Sequence, residues 1–401
     1  MTHKNRFGMF IHWGFYALHG VQEQEFARLD LPREEYESAM HEFNPVEFDP
    51  DAIVSLAKET GMEYICFTAK HHDGFCMFDS EYTDYKITNT PYGKDVLKEL
   101  ADACRRQGML LSIYYSCPDW HHPYGYNPNS SHQWKARRDT EARHEIYLEY
   151  VKNQIRELMT KYGPIYTLFW DIPPKIDVPE MNEIVRALQP GIFINNRGYG
   201  PGDFSTPERE YQSSESGRFP TMTEACNSLG EQSWGYRKDE DYYSLRHLTT
   251  SIDRMMAKGA SYLLNVGPDA LGRIPEESLK RLRAVGSWYR RMNGALTCHE
   301  DDPFDYEVRG SRPIVTKKDG KTYFHFPDGL RSSAFSLGAW PGEPKRVTLL
   351  NTGKTLRFSF DLLPEYMKNG LAQRFLHVTG IPVDELENES IVVEIEWNYT
   401  I

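Results

Sequence analysis

Six short runs in this chain are hydrophobic on both faces: FGMFIH (7–12), YICFTAK (64–70), LLSIYY (110–115), IYTLFWD (165–171), IFINN (192–196) and YLLNVG (262–267). A strand with one wet face alternates polar and apolar residues, so runs like these must be covered on both sides. Between them lie longer segments with helical spacing, among them DAIVSLAKETG (51–61), VLKELADACRRQG (96–108), HEIYLEYVKNQIRELMTKYG (144–163) and SLRHLTTSIDRMMAKG (244–259). Several end on glycine, which takes the left-handed cap at little cost. Strands alternating with helices predict β/α units around a parallel sheet, here a (β/α)8-like, TIM-type barrel. The helix at 278–296 reads as the last of the barrel. Beyond it, segments such as PIVTKKDGKTYFHF, KRVTLLNTGKTLRFSF and SIVVEIEW alternate around DG and TG turns. That texture predicts a C-terminal antiparallel β-sandwich. The expected division is a barrel domain over 1–297 and a sandwich over 298–401.

Polar groups recur at the C-terminal ends of these strands: His12-Trp13, His71-His72-Asp73, Asp171, Asn195-Asn196-Arg197 and Asn265. In a (β/α) barrel this is the rim where active sites form. Asp171 closes an apolar run, where an unpaired carboxylate inside a core would be costly. Pro173-Pro174 fixes the exit of that strand. A functional carboxylate and a loop-capping aspartate both fit the position. Successive side chains on a strand point to opposite faces, so His71 and His72 do not share a metal unless the strand has already ended. No HExxH-like spacing is present, and no metal or organic cofactor is expected. Hydrogen bonding to ligand hydroxyls suits the two histidines better, with Lys70 and Asp73 behind them. Three acids, Glu208, Glu215 and Glu224, lie in one excursion after Arg197, and their chemistry alone does not choose among them. Trp234, in QSWGY, either walls a ligand or packs in the core.

Composition removes other classes. A net charge of −12 over 401 residues repels a phosphate backbone, so nucleic acid is not an expected partner. No run of about 18 apolar residues exists, so no membrane span is expected. Eight Trp and 25 Tyr supply rings with polar tips, which suit carbohydrate clefts. The six cysteines (Cys66, Cys76, Cys104, Cys117, Cys226 and Cys298) form no CxxC pair. The N-terminal MTHKNRFGMFIHWG lacks the pattern of a signal peptide. With Met1 as the native start the expectation is a cytoplasmic protein; with a leader removed, a secreted or periplasmic one. The oligomeric state is not encoded in any motif.

Seven motifs occur in one order: RFGMFIHWGFYALHG, EYICFTAKHHDGFCMFDS, LLSIYYSCPDW, IYTLFWD, GDFSTPE, EACNSLGEQSWGY and GASYLLNVGPDALGRIP. Together, from about Arg6 to about Glu277, they resemble glycoside hydrolase family 29, the α-L-fucosidases. The resemblance implies a retaining exo-α-L-fucosidase that takes terminal fucose from glycans through a glycosyl-enzyme, without a cofactor. Asp171 matches the nucleophile. His12, His71 and His72 match pocket histidines, with Trp13 and Trp234 beside them, and Arg197 matches an arginine near the acid/base. For the acid/base, Glu208 stands first, Glu224 second and Glu215 third. Two positions depart from the family pattern. Where the family carries Glu-Trp, this chain reads VQEQEFARL; Glu23 or Glu25 stands for that acid, and Glu25 is taken as the pocket residue. Where a glycine-containing turn usually follows the nucleophile, Ile172-Pro173-Pro174 follows here. Both departures bear on substrate identity, so an α-L-galactosidase of the same fold is the alternative within the enzymes. A catalytically silent sugar-binding protein is the alternative outside them. A metal-dependent hydrolase built on the histidines ranks last, and insensitivity to a strong chelator would exclude it.

Overall fold

In the computed structural model each of the six apolar runs forms a strand. Residues 5–138, 143–209, 218–292, 294–297, 300, 306–309, 311–368 and 371–399 are described. Two units emerge, one comprising Met1–Glu210, Thr221–Tyr242 and Tyr262–Lys280, the other Tyr211–Pro220, Tyr243–Ser261 and Arg281–Ile401.

The first unit holds β1 (Phe7–Ile11), β2 (Tyr64–Lys70), β3 (Leu110–Ser116), β4 (Ile165–Asp171), β5 (Phe193–Ile194), β6 (Glu224–Ser228) and β7 (Ser261–Val266). They form one sheet in the order β5-β4-β3-β2-β1-β7-β6. Every residue of β1, β2, β6 and β7 is buried, as strands filled on one side and covered on the other must be. The stretch 204–208 supplies an eighth stave. It makes parallel bridges to Asn195 on one side and to Thr223 and Cys226 on the other, which closes the curled sheet into a ring. The stave and β6 were not evident from sequence, because EACNS and FSTPE are too polar and too short to read as strands. Inside the ring Phe10, Tyr64, Cys66, Tyr114, Phe169, Cys226 and Leu263 pack together.

Local signals set the helices. Asp49 accepts the Ala52 amide at 3.0 Å and Pro50 occupies the first turn of helix Pro50–Thr60, which ends at Gly61 with φ 89°. Asp95 and Gly108 bracket Val96–Gln107 in the same way. A helix the sequence did not reveal, Glu180–Leu188, precedes β5.

The second unit contains two antiparallel sheets. One comprises β9 (Ile314–Lys318), β10 (Lys321–Phe326), β12 (Gly342–Leu349), β13 (Lys354–Thr355) and β16 (Ile391–Tyr399). The other comprises β8 (Val308–Arg309), β11 (Ala334–Leu337), β14 (Arg357–Lys368) and β15 (Leu371–Thr379). Side chains of both sheets, including Phe324, Phe335, Leu337, Val347, Val393 and Trp397, share one core, giving the expected sandwich. Asp319 and Gly320, both at positive φ, make the β9–β10 turn. Among the described residues no helix is long and apolar enough to cross a membrane. The five described cysteines are free and buried; Cys298 lies outside the described residues.

Candidate active site

At the C-terminal ends of the barrel strands a cavity of about 420 Å³ opens to solvent. His12, His71, His72, Tyr114, Asp171, Arg197, Glu208, Trp234, Phe10, Phe169, Gln24, His132, Ile172 and Cys226 line it. Strand ends deliver most of these groups. Asp171 is the last residue of β4, and Tyr114 in β3 lies in register with Phe169.

Asp171 is gripped by three donors. Tyr114 donates its hydroxyl to Oδ2 at 2.7 Å, and the Ile172 amide donates to Oδ1 at 2.9 Å. The Arg197 guanidinium approaches Oδ1 at 2.8 Å. Burial by itself would raise the Asp171 pKa, but the Arg197 charge and the Tyr114 hydrogen bond outweigh it and hold the carboxyl below its usual range. The other arm of Arg197 hydrogen-bonds Glu208. Glu208 moves the opposite way: desolvation raises its pKa and the neighbouring Asp171 charge adds to the rise, against Arg197. Its side chain remains 38% exposed at the mouth. One guanidinium thus holds two carboxyl groups whose surroundings pull their protonation states apart.

The histidines are neutral, and their hydrogen bonds set the tautomers. Burial lowers the pKa of all three, that of His71 to about 3. Ser116 donates its hydroxyl to Pro118 O at 2.7 Å, so at its 2.7 Å contact with His72 Nδ1 it must accept. His72 Nε2 is then bare, 3.8 Å from Asp171 Oδ2. Asn265 donates its amide to the Trp234 carbonyl at 2.6 Å, leaving its oxygen to accept from His12 Nδ1 at 2.6 Å. Both rings therefore present Nε2 as an acceptor suited to a ligand hydroxyl. His71 stacks on Tyr114 with ring centroids 5.5 Å apart, and its buried Nδ1 meets no partner among the described residues.

The structure corrects several expectations. Of the two cases open for His71 and His72, the strand-ended one holds: β2 stops at Lys70, and their rings lie 4.1 Å apart on the same cavity. Trp13 does not line the cavity. His12 takes that face, so the next side chain turns into the core, where its Nε1 donates to Asp269 O at 3.0 Å. Glu25 faces His19 at 2.5 Å rather than the cavity. The acid that matters nearby is Glu23, whose Oε2 accepts from Ser233 Oγ and from the amides of Trp234 and Gly235, each at 3.0 Å. It thereby fixes the loop that carries Trp234. Gly267 lets that loop close in, because a Cβ there would stand 2.4 Å from Gly235 C. Glu224 begins β6 and takes the Tyr64 hydroxyl at 2.7 Å, and Tyr64 begins β2. Its carboxyl therefore lies at the opposite end of the barrel from Asp171, and Cys226, two residues on, reaches the cavity instead. Glu215 lies outside the described residues. Lys70 and Asp73 stand behind the histidines as expected, Lys70 paired with buried Asp119 at 2.9 Å and Asp73 taking the Tyr36 hydroxyl at 3.1 Å. Among the described residues no group of three or more His, Cys, Asp or Glu side chains is arranged to hold a metal.

Sequence reading missed Tyr114, His132 and Gln24 as lining residues, and pointed to Ile172 only as a departure from the family turn. Tyr114 was findable, since it lies on the same apolar run as Ser116 and two strands from His12. His132 carried no signal, because it comes from a long irregular loop. Ile172 sits at φ 59°, in the left-handed region that a β-branched residue rarely enters. It occupies a backbone geometry that favours glycine, which is what the turn after the nucleophile usually contains in the family resembled.

The sequence profile described as alpha-L-fucosidase matches residues 2–294. Human plasma alpha-L-fucosidase is 26% identical over 316 residues, covering 72% of this chain and 67% of that protein. Alpha-L-fucosidase isoenzyme 1 from Paenibacillus thiaminolyticus superposes with a TM-score of 0.82 at 32% identity, over 98% of this chain and 96% of the other. An alpha-L-fucosidase from Bacteroides thetaiotaomicron, trapped as a covalent intermediate with 2-fluoro-fucosyl fluoride, superposes at 0.78 with 26% identity, over 98% and 94%. With a family profile spanning the whole barrel and its rim, this chain belongs to the α-L-fucosidase family, glycoside hydrolase family 29.

Proposed function

We propose that the protein is a retaining exo-α-L-fucosidase, with Asp171 as nucleophile and Glu208 as acid/base. The observation that carries this is the pair of carboxyls on Arg197, one held ionised and one inclined to keep its proton. In the first step Asp171 attacks the anomeric carbon while Glu208 protonates the departing glycosidic oxygen. The glycosyl-enzyme ester forms as the C–O bond to the leaving group breaks. In the second step Glu208 takes a proton from water, whose oxygen displaces Asp171 and releases the sugar with net retention. His12 and His72 accept from sugar hydroxyls through Nε2. Phe10, Phe169 and Trp234, with Phe10 5.3 Å from Phe169 and 6.3 Å from Trp234, form an apolar wall that suits the C6 methyl of fucose better than the hydroxymethyl of L-galactose. The substrate is a terminal α-L-fucosyl glycan, and the turn departures at Gln24 and Ile172 shape which one.

The test is turnover of an aryl α-L-fucoside beside the matching α-L-galactoside. The expected result is a strong preference for the fucoside and loss of at least about a thousand-fold in kcat for Asp171→Ala. Near-wild-type turnover by that variant removes Asp171 from the role.

A further inference from the structure

On one side of the cavity an aromatic row runs outward. His72 lies 5.4 Å from His132, and His132 lies 4.6 Å from Trp134. His72 and His132 line the cavity, whereas Trp134 lies outside it with half of its surface open to solvent. Arg28 covers part of the indole, its guanidinium carbon 4.8 Å from the ring centroid. The same guanidinium donates to Gln24 Oε1 at 3.3 Å, and Gln24 also lines the cavity. Gln24, Arg28, Trp134 and His132 therefore make a continuous arc from one part of the cavity wall out to the surface and back.

The loop that carries this arc is held from several sides. Trp120 donates its indole N–H to His132 O at 2.7 Å. Asn127 and Ser130 donate to Pro174 O and Pro173 O at 2.8 and 2.9 Å, tying the loop to the turn that follows Asp171. Arg33 hydrogen-bonds the Lys135 carbonyl. His132 itself sits at φ 59°, a conformation that persists only where surrounding contacts hold it. Trp134 keeps half of its surface exposed, and the ring stands against His132, Arg28 and buried Trp120, the last 6.4 Å away.

We propose that Trp134, flanked by Gln24, Arg28 and His132, is the subsite for the leaving-group sugar. This rests on the fucosidase reading above. A pyranose has an apolar C–H face that lies against an indole, and an edge of hydroxyls that Arg28 and Gln24 can meet from the side. The arc begins at the cavity wall, where His72 and His132 stand between Asp171 and Trp134. The occupant is a neutral hexose ring bonded to fucose, rather than an aryl group or a protein surface.

The test compares α-L-fucosyl fluoride, whose leaving group needs no platform, with a set of α-L-fucosyl-hexose disaccharides of different linkage. Trp134→Ala is expected to lower kcat/KM on the best disaccharide about ten-fold, equivalent to about 1.4 kcal/mol, and to leave kcat/KM on the fluoride and inhibition by free fucose unchanged. Trp134→Phe should retain most disaccharide activity. Equal disaccharide activity in wild type and Trp134→Ala overturns the subsite. So does a parallel fall on disaccharide and fluoride, which would assign Trp134 a purely structural part. Wild-type inactivity on the fluoride as well would instead overturn the fucosidase reading, and this subsite with it.

Discussion

Glu224 offers a test that separates geometry from titration. Burial raises its pKa from 4.5 to about 7, only partly countered by the Tyr64 hydroxyl, and its Oε1 meets no hydrogen-bond partner among the described residues. By titration alone it would serve as a general acid. By position it is excluded, since it lies at the wrong end of the strands. Its folded-state pKa lies above the unfolded value, so its favourable contribution is complete below about pH 4.5 and is lost as pH rises through about 7. The full difference corresponds to about 3 kcal/mol at roughly 1.4 kcal/mol per tenfold, of which about 2–3 kcal/mol is lost between pH 5 and pH 8. Glu224→Gln keeps the shape and cannot ionise. It should match wild type in thermal unfolding at pH 5 and exceed it at pH 8 by roughly 5 °C, at about 2 °C per kcal/mol for a unit of this size. Turnover of an aryl fucoside at pH 6 should be unchanged. Identical pH dependence of Tm in the two proteins would refute the burial argument, and loss of turnover with an intact fold would refute the assignment of Glu208.

Three further outcomes follow from the site. The pH profile of kcat/KM should be bell-shaped, its acid limb below the ordinary carboxylate range because Asp171 is lowered and its alkaline limb above it because Glu208 is raised. Glu208→Gln should abolish the alkaline limb on aryl fucosides, and a surviving limb would assign it elsewhere. Glu23→Ala leaves the Trp234 and Gly235 amides without their acceptor and should weaken inhibition by free fucose about ten-fold, from the loss of roughly 1.5 kcal/mol in charge-assisted hydrogen bonds; unchanged inhibition would detach Trp234 from the sugar. Ile172→Gly removes a buried side chain but relieves a left-handed backbone costing about 1–3 kcal/mol, so stability measured in urea should change by less than about 1 kcal/mol. A loss above about 3 kcal/mol would mean that the turn carries no strain.

The barrel was legible because burial on both faces leaves a mark that survives without any partner sequence. FGMFIH and YICFTAK cannot be anything but covered strands, and their polar ends point to the rim. The two staves that escaped notice show the limit of that signal. EACNS is buried throughout although its pattern is polar, and 204–208 is a strand only because β5 and β6 stand on either side of it. Among site residues the same division holds. Asp171, His12 and His72 were visible because each ends an apolar run. Choosing Glu23 over Glu25 was not possible, since two glutamates two residues apart differ only in what faces them: three donors of the Trp234 loop in one case, His19 in the other. Trp13 was misplaced for the converse reason. Its neighbour His12 already fills the inward position, and one step along the chain reverses the side chain.

The electrostatics of the cavity also explain why three histidines gather around a carboxylate without protonating. An imidazolium beside Asp171 would steady the free nucleophile and oppose the positive charge that develops on the sugar as its glycosidic bond breaks. Burial removes that option, and the bonds to Ser116 and Asn265 turn His12 and His72 into acceptors. The Arg197 guanidinium is shared between both carboxyls, so its field is divided rather than spent on Asp171 alone. Neutral acceptors can orient hydroxyls without adding charge near the anomeric carbon. The fold therefore achieves sugar recognition with groups that do not compete with the chemistry, and the cost is a set of buried rings, one of them with an Nδ1 unpartnered among the described residues, that only a bound hydroxyl-rich ligand would complete.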